Sequence, residues 1–373
     1  MEPIDPRSVN AFKLSLDAGH IVIEFGNTLD AVTGAAGVAV SDRVSLPVDT
    51  GRRLLHWLNQ GVERHAALLR AEAAKALPPE QAAVAMRPGQ DPIRPPTEEA
   101  GERGAELLRL VGNLGIPYQY ERSFRISERN LAANRFLLTV DVGNIPEDRC
   151  VRTLEICDRL RMPQSARDEA QANFAMAKCI HFGFEADDGT IVCKLYLERA
   201  VSNEEALRAG AAGEAVLLHL AFKWDLLKGT AVTTRYCWRP GLSAAGIEER
   251  LAHVYRNGPQ TSFEIARAAL ALAKNRVAAE MLQYLEVDEA ENSRRSFDLN
   301  LYNAKLQVKD MQALLHRMRE HFAVRPGRMQ ALYDQIKMKS LGHLAGGVHR
   351  GGEDFFNIYY GVVGLPHFHG GFQ

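Results

Sequence analysis

The chain lacks an excess of either charge: 45 Lys and Arg stand against 46 Asp and Glu in 373 residues, so no overall field draws it to nucleic acid or to an anionic membrane. Any basic site must be local. It also lacks paired cysteines. The five it has, Cys150, Cys157, Cys179, Cys193 and Cys237, make no CxxC spacing and sit inside periodic segments, which argues for reduced thiols over a disulfide frame or a zinc site. No run reaches the roughly 18 apolar residues of a membrane-spanning helix. The opening MEPIDPRSVNAFKLSLD has no basic n-region followed by an apolar stretch. The expectation is a soluble, cytoplasmic, monomeric protein with no nucleic-acid partner.

What is present begins irregularly. AGHIVIEFGNTLDAVTGAAGVAV holds one or two short strands, Leu54 to Leu77 reads as helix, and AMRPGQDPIRPPTEEAGE reads as a Pro-rich linker or arm. The expected division is an N-terminal extension over 1–98, a main domain over 99–363 and a tail over 364–373. The tail carries His367 and His369 in HFHGGFQ, assigned to a frayed end.

From Glu99 a rhythm of one helix or helix pair followed by a hairpin recurs five times. The predicted helices are Glu99 to Asn113, Pro146 to Ala177, one begun by Ser202 with Glu205, a pair carrying Ile247, Leu251 and Val254 and then a cap at Thr261 with Glu264, and the stripe Val308, Met311, Leu315, Met318. The predicted hairpins are Tyr118 to Arg125 with Asn134 to Asp141, Lys178 to Glu185 with Thr190 to Glu198, Ala215 to Trp224 with Thr230 to Trp238, Met281 to Val287 with Ser296 to Tyr302, and Lys339 to Ala345 with Phe355 to Val362. The glycines of GGVHRGGED, Gly346 to Asp354, read as the turn of the last hairpin, because no strand-loop-helix context makes them a phosphate loop. Ten antiparallel strands separated by helices can close into a barrel with no free edge, and the helices then cover the outside. The fold class is α+β, a closed ten-stranded barrel surrounded by helices.

Side-chain alternation sorts the two faces. Phe136, Leu138 and Val140 lie opposite Arg135, Leu137 and Thr139; Arg122, Phe124 and Ile126 lie opposite Glu121, Ser123 and Arg125. Cys193, Leu195 and Leu197 lie opposite Lys194, Tyr196 and Glu198, and Leu218, Leu220 and Phe222 lie opposite His219, Ala221 and Lys223. Phe297, Leu299 and Leu301 lie opposite Asp298, Asn300 and Tyr302. The polar sets line a lumen wide enough for a ligand, with His181, His219 and Asn357 among the lining and with Asp141, Glu185 and Glu198 as further inward carboxylates.

The order of hairpins resembles the ABBA prenyltransferase barrel, and within it the cyanobactin peptide prenyltransferases. The first hairpin carries the similarity, with Glu121, Arg125 and RFLL from Arg135 to Leu138. CKLYLE around Lys194, SFDLNLYN around Asn300 and NIYYG around Tyr359 add to it. The sequence departs from the pattern at Arg125, where lysine is usual, and at Tyr196, where histidine is usual. The resemblance implies transfer of a dimethylallyl or geranyl group from its diphosphate, with magnesium accompanying the diphosphate, to a side chain of a ribosomally made peptide. The acceptor is left open among Tyr, Trp, His and Arg. Alternatives are a small aromatic acceptor, or a non-catalytic barrel that binds a peptide or lipid. No DDxxD motif is present, and the nearest acidic pair, Asp187 and Asp188, falls in a turn.

This chemistry assigns roles. Arg125, Arg135, Lys194 and Lys223 would hold the leaving diphosphate. Tyr196, Tyr236, Tyr302 and Tyr359 would shield the allylic cation with their ring faces, and Glu121 would take the acceptor's proton. The N-terminal extension is read as a leader-peptide docking arm, a lid or extra packing.

Overall fold

The computed structural model describes residues 11–17, 20–28, 38–47, 97–146, 148–187, 189–289, 295–349 and 351–364. The chain divides into two compact units, Met1–Ala82 and Ala83–Gln373. In the first, strands β1 (Ala11–Asp17), β2 (His20–Thr28) and β3 (Val38–Pro47) form an antiparallel sheet in that order, Leu16 opposite Ile21 and Ile23 opposite Val44. Three strands form where one or two are expected, because the β-branched run HIVIEF supports a central strand paired on both sides. The helix expected over Leu54 to Leu77 and the Pro-rich segment lie outside the described residues, as do Asp188, His367 and His369.

In the second unit the ten strands are β4 (Gln119–Ser127), β5 (Asn130–Asp141), β6 (Ala177–Asp187), β7 (Thr190–Arg199), β8 (Val216–Asp225), β9 (Ala231–Trp238), β10 (Gln283–Glu289), β11 (Arg295–Asn300), β12 (Leu341–Val348) and β13 (Asp354–Val363). They pair antiparallel in chain order and close through β13 against β4, where Ile358 faces Phe124 and Asn357 faces Arg125. Closure pairs every strand on both sides, so the barrel has no edge.

Eight α-helices surround it among the described residues: α1 (Glu98–Gly112), α2 (Arg149–Arg159), α3 (Gln164–Asn173), α4 (Asn203–Ala212), α5 (Ala244–Val254), α6 (Gln260–Lys274), α7 (Gln312–His321) and α8 (Pro326–Ile336). None is long and apolar enough to cross a membrane. Their starts follow local chemistry. Thr97 Oγ1 accepts from the Ala100 amide at 3.1 Å, and Glu98 and Glu99 sit in the positive first turn of α1. Ser202 caps α4 in the same way, accepting from the Glu205 amide at 3.1 Å.

Two helix expectations are corrected. The stretch from Pro146 to Ala177 is two helices, because Arg161 takes a left-handed φ of 55° and Pro163 cannot donate an amide to a continuing helix. Thr261 is not a cap, since α6 is entered at Gln260 from Pro259, one residue earlier.

The apolar faces point outward and are buried under the helices. Phe182, Leu195 and Phe222 pack beneath α1, α2 and α3, while Phe297, Leu344 and Ile358 pack beneath α5 to α8. Trp224, fully buried, donates from Nε1 to the Leu160 carbonyl at 2.7 Å and ties β8 to the end of α2. Truncating any one of these leucines to alanine would cost about 2–5 kcal/mol. This rigid outer layer leaves the polar faces inside.

Candidate active site

Adjacent strands place the inward residues of β5, β6 and β7 in successive levels. Arg135 pairs with Glu185; two residues along, Leu137, Gly183 and Lys194 align; two further, Thr139, His181 and Tyr196 align. Lys194 also pairs with Lys223 of the adjacent β8, and Glu198 with His219 of the same strand. A cationic level thus lies beside a level of tyrosine and histidine.

At the cationic end, Arg135 and Lys194 both contact Oε2 of Glu185 at 2.6 Å. Arg125 lies 4.3 Å over the Phe355 ring and bonds His349. Lys223 approaches Glu289 at 3.8 Å and stands 5.5 Å over the Tyr236 ring. Two of the four predicted cations therefore share one carboxylate, with Arg125 acting on it only through its field. Burial opposes the ionisation of Glu185, but Arg135 and Lys194 outweigh it and hold the group far below the usual carboxylate range. Burial likewise lowers Lys194 to about 8, with Glu185 working against the shift and Arg135 adding to it. Arg125, Arg135, Glu185, Asp187, His349 and Glu353 line a cavity at this end.

The second cavity, which with its open mouth takes in about 710 Å³, is lined by Glu121, His181, Tyr196, Glu198, His219, Tyr236, Asp298, Asn300, Tyr302, His343 and Tyr359, among others. All four predicted tyrosines are there, with Glu121. Tyr302 donates to Glu121 Oε1 at 2.5 Å. Tyr196 and Tyr236 rings lie 5.6 Å apart, and each meets His219 edge-on. Burial pushes the Tyr196, Tyr302 and Tyr359 phenols well above their ordinary values, so all three stay neutral at physiological pH.

Histidines and carboxylates alternate around the same wall. His181 is bonded on both nitrogens, to Thr139 Oγ1 at 2.8 Å and Glu198 at 2.6 Å. His343 Nδ1 meets Asp298 at 2.7 Å. Burial lowers the His343 pKa, but Asp298, with Glu121 and Glu198 behind it, raises it to about 9. His181, Glu198 and His219 offer ligand atoms all within 4.8 Å of one another, a two-histidine, one-carboxylate set able to hold a transition metal, with Thr139 orienting His181 from behind.

Three placements differ from the alternation read in the sequence. Asp141 ends β5, accepts from the Gly143 amide at 2.7 Å and does not line the cavity. Leu218 lines it beside His219, because β8 bulges between Leu217 and His219. Tyr302 stands in a short 3₁₀ turn after β11, although its hydroxyl still reaches Glu121. Asn357 keeps the expected inward phase, buried opposite Arg125 and level with Asp298 across Ala345, without lining either cavity. His343, Gln119 and Gln283 line the cavity and were not singled out in the sequence, nor was Glu289, the partner of Lys223. An alternation count through LGHLAGGV was the available signal for His343, and the bulge between Leu341 and Leu344 obscures it.

No protein-family model matches the sequence, and no curated protein matches it. Solved structures do. The 5-dimethylallyl tryptophan synthase from Streptomyces coelicolor, in complex with DMASPP and Trp, is 13% identical at a TM-score of 0.50, covering 71% of this chain and 89% of that one. The prenyltransferase PriB, in its apo form, is 14% identical at a TM-score of 0.50, covering 71% and 90%. The fold is the ABBA prenyltransferase barrel. Identity this low speaks for the architecture, and the ten-stranded closure with its outer helices is what the barrels share. The lumen chemistry of this ABBA barrel has to be argued from its own residues.

Proposed function

We propose that the protein is a peptide prenyltransferase, moving a dimethylallyl or geranyl group from its diphosphate to a nucleophilic side chain inserted into the lumen. One observation carries the reading: the buried carboxylate of Glu121 shares a cavity with four tyrosines, and a level of Arg and Lys lies beside that cavity inside one closed barrel. The diphosphate would sit against Arg125, Arg135, Lys194 and Lys223, where two cations on the single Glu185, with Arg125 nearby, leave positive charge for a leaving group. Asp187 and Glu353 supply oxygen donors at the same end, suited to a magnesium ion that offsets phosphate charge. As the C1–O bond breaks, the rings of Tyr196, Tyr236, Tyr302 and Tyr359 face the allylic cation. Neutral phenols shield it without supplying a phenolate to capture it. Glu121 takes the proton the acceptor sheds. The protein would act as a monomer in the cytoplasm.

The second reading is a small aromatic acceptor, favoured by the Streptomyces coelicolor enzyme of the same fold, whose complex holds Trp. Both readings are tested by intact-mass analysis after incubation with dimethylallyl and geranyl diphosphates, magnesium, and either short peptides or free indoles and phenols. A peptide gaining one isoprenyl unit supports the proposal; modification of free aromatics alone supports the second reading. The Glu121→Gln variant, folded and still binding donor, should lose about 10²-fold or more in transfer. Full activity in that variant removes Glu121 from the mechanism.

A further inference from the structure

The tyrosine-lined cavity contains three carboxylates, Glu121 on β4, Glu198 on β7 and Asp298 on β11, and among its lining residues no lysine or arginine. All three are buried, at 5%, 8% and 7% exposure. Burying one carboxylate suffices for a base; burying three in a site meant for a neutral indole or phenol adds desolvation cost without a task. Each is held by a donor that can be exchanged: Tyr302 on Glu121, His181 on Glu198, His343 on Asp298. The resident imidazole records the negative field, since His343 keeps its proton to about pH 9 with all three carboxylates contributing. The Tyr196 and Tyr236 rings, 5.6 Å apart, line the same cavity.

From this arrangement we propose that the cavity is an acceptor subsite for a guanidinium group, the arginine side chain of the peptide, held by Glu198 and Asp298 and deprotonated by Glu121. The inference rests on the prenyl-transfer reading and deepens it. A guanidinium is planar, presents N–H groups along its edges to several carboxylates and stacks on aromatic faces, which is the set of contacts this wall offers. A protonated guanidinium is no nucleophile, so the chemistry needs a base in contact with it. Glu121 takes one proton; the freed nitrogen lone pair forms the bond to C1 of the donor as the C1–O bond breaks and its electron pair leaves with the diphosphate. The product is an N-alkyl guanidinium that keeps the original charge, and the proton on Glu121 passes to solvent or to the pyrophosphate.

The test measures binding to the full chain without donor, using N-acetylated, C-amidated tripeptides Gly-X-Gly in which X is arginine, citrulline, tyrosine or tryptophan. Citrulline keeps the shape and removes the charge. Arginine is expected to bind about tenfold or more tightly than citrulline, and Glu198→Gln and Asp298→Asn, each checked for folding by its melting curve, should narrow that ratio. Equal affinity for arginine and citrulline, or a preference for tyrosine or tryptophan, overturns the proposal without recourse to any variant. Pyrophosphate release from dimethylallyl diphosphate is followed separately. Its absence with every acceptor defeats the transfer reading, while the arginine-to-citrulline ratio still decides the subsite.

Discussion

The Tyr302 hydroxyl donates to Glu121 at 2.5 Å although the two residues are 181 positions apart in the chain. A hydrogen bond donated to the ionised carboxylate favours that form, and it aims Oε1 at one place in the cavity. Tyr302→Phe removes the donor and leaves the ring. Glu121 then becomes a weaker acid, and the acid limb of the kcat/KM profile moves to higher pH, while the plateau at alkaline pH is largely kept. A variant that lowers the plateau and leaves the limb in place would assign Tyr302 a packing role only.

Gly342 makes room for that carboxylate. On β12 two residues, Gly342 and His343, stand opposite the single Tyr359 of β13, and a Cβ on Gly342 would lie 2.1 Å from Glu121 Oε1 and 2.9 Å from the Tyr302 hydroxyl. Gly342→Ala must therefore move the Glu121 carboxylate by an ångström or so. The expected result is a loss of transfer of about 10²-fold, with donor affinity and melting temperature close to wild type. Retained turnover would mean that the position of Glu121 is not critical.

The sequence carried the barrel well, because period-two alternation is the signal that a two-faced strand must leave. Arg135, Lys194, Tyr196 and Asp298 fall inward by that count and are inward in the structure. The count fails at bulges, where one extra residue reverses the phase: Leu218 joins the lining, and Gly342 and His343 share a short irregular stretch. Asp141 was misplaced because the strand ends there and its carboxylate is used by the Gly143 amide. Which partner each carboxylate meets was readable only in part. Glu185 with Arg135 follows from neighbouring strands, but Glu121 with Tyr302 and Lys223 with Glu289 depend on how the hairpins close around the lumen.

On the proposed function, Lys194 should give donor binding a pH dependence. Burial is the largest influence on its ammonium and lowers it to about 8, so the free protein loses this charge as pH rises through that value. Affinity for inorganic pyrophosphate or dimethylallyl diphosphate should be steady up to about pH 8 and weaken by up to about tenfold by pH 9, measured calorimetrically. Lys194→Arg, which cannot be neutralised in this range, should flatten the curve. A wild-type curve already flat from pH 7 to 9 would place Lys194 outside the diphosphate site.

The Asp298–His343 pair should appear in stability, with a sign opposite to that of Lys194. The folded-state pKa of His343, about 9, lies above its ordinary 6.5, so the folded protein binds the proton more tightly than the unfolded chain does. The pair's contribution is complete below about pH 6.5 and is lost as pH rises through 9. From the shift it is at most about 3 kcal/mol. Lys194, lowered in the folded state, costs stability while charged, and that cost fades between about 8 and its ordinary 10.5. The two effects overlap only above pH 8. Denaturant unfolding at pH 6, 7.5 and 8.5 should therefore show wild type losing stability toward pH 8.5, and Asp298→Asn showing a much smaller slope. Parallel slopes in the two proteins would mean that His343 does not gain its proton from Asp298, and the negative field inferred for the cavity would lose its internal probe.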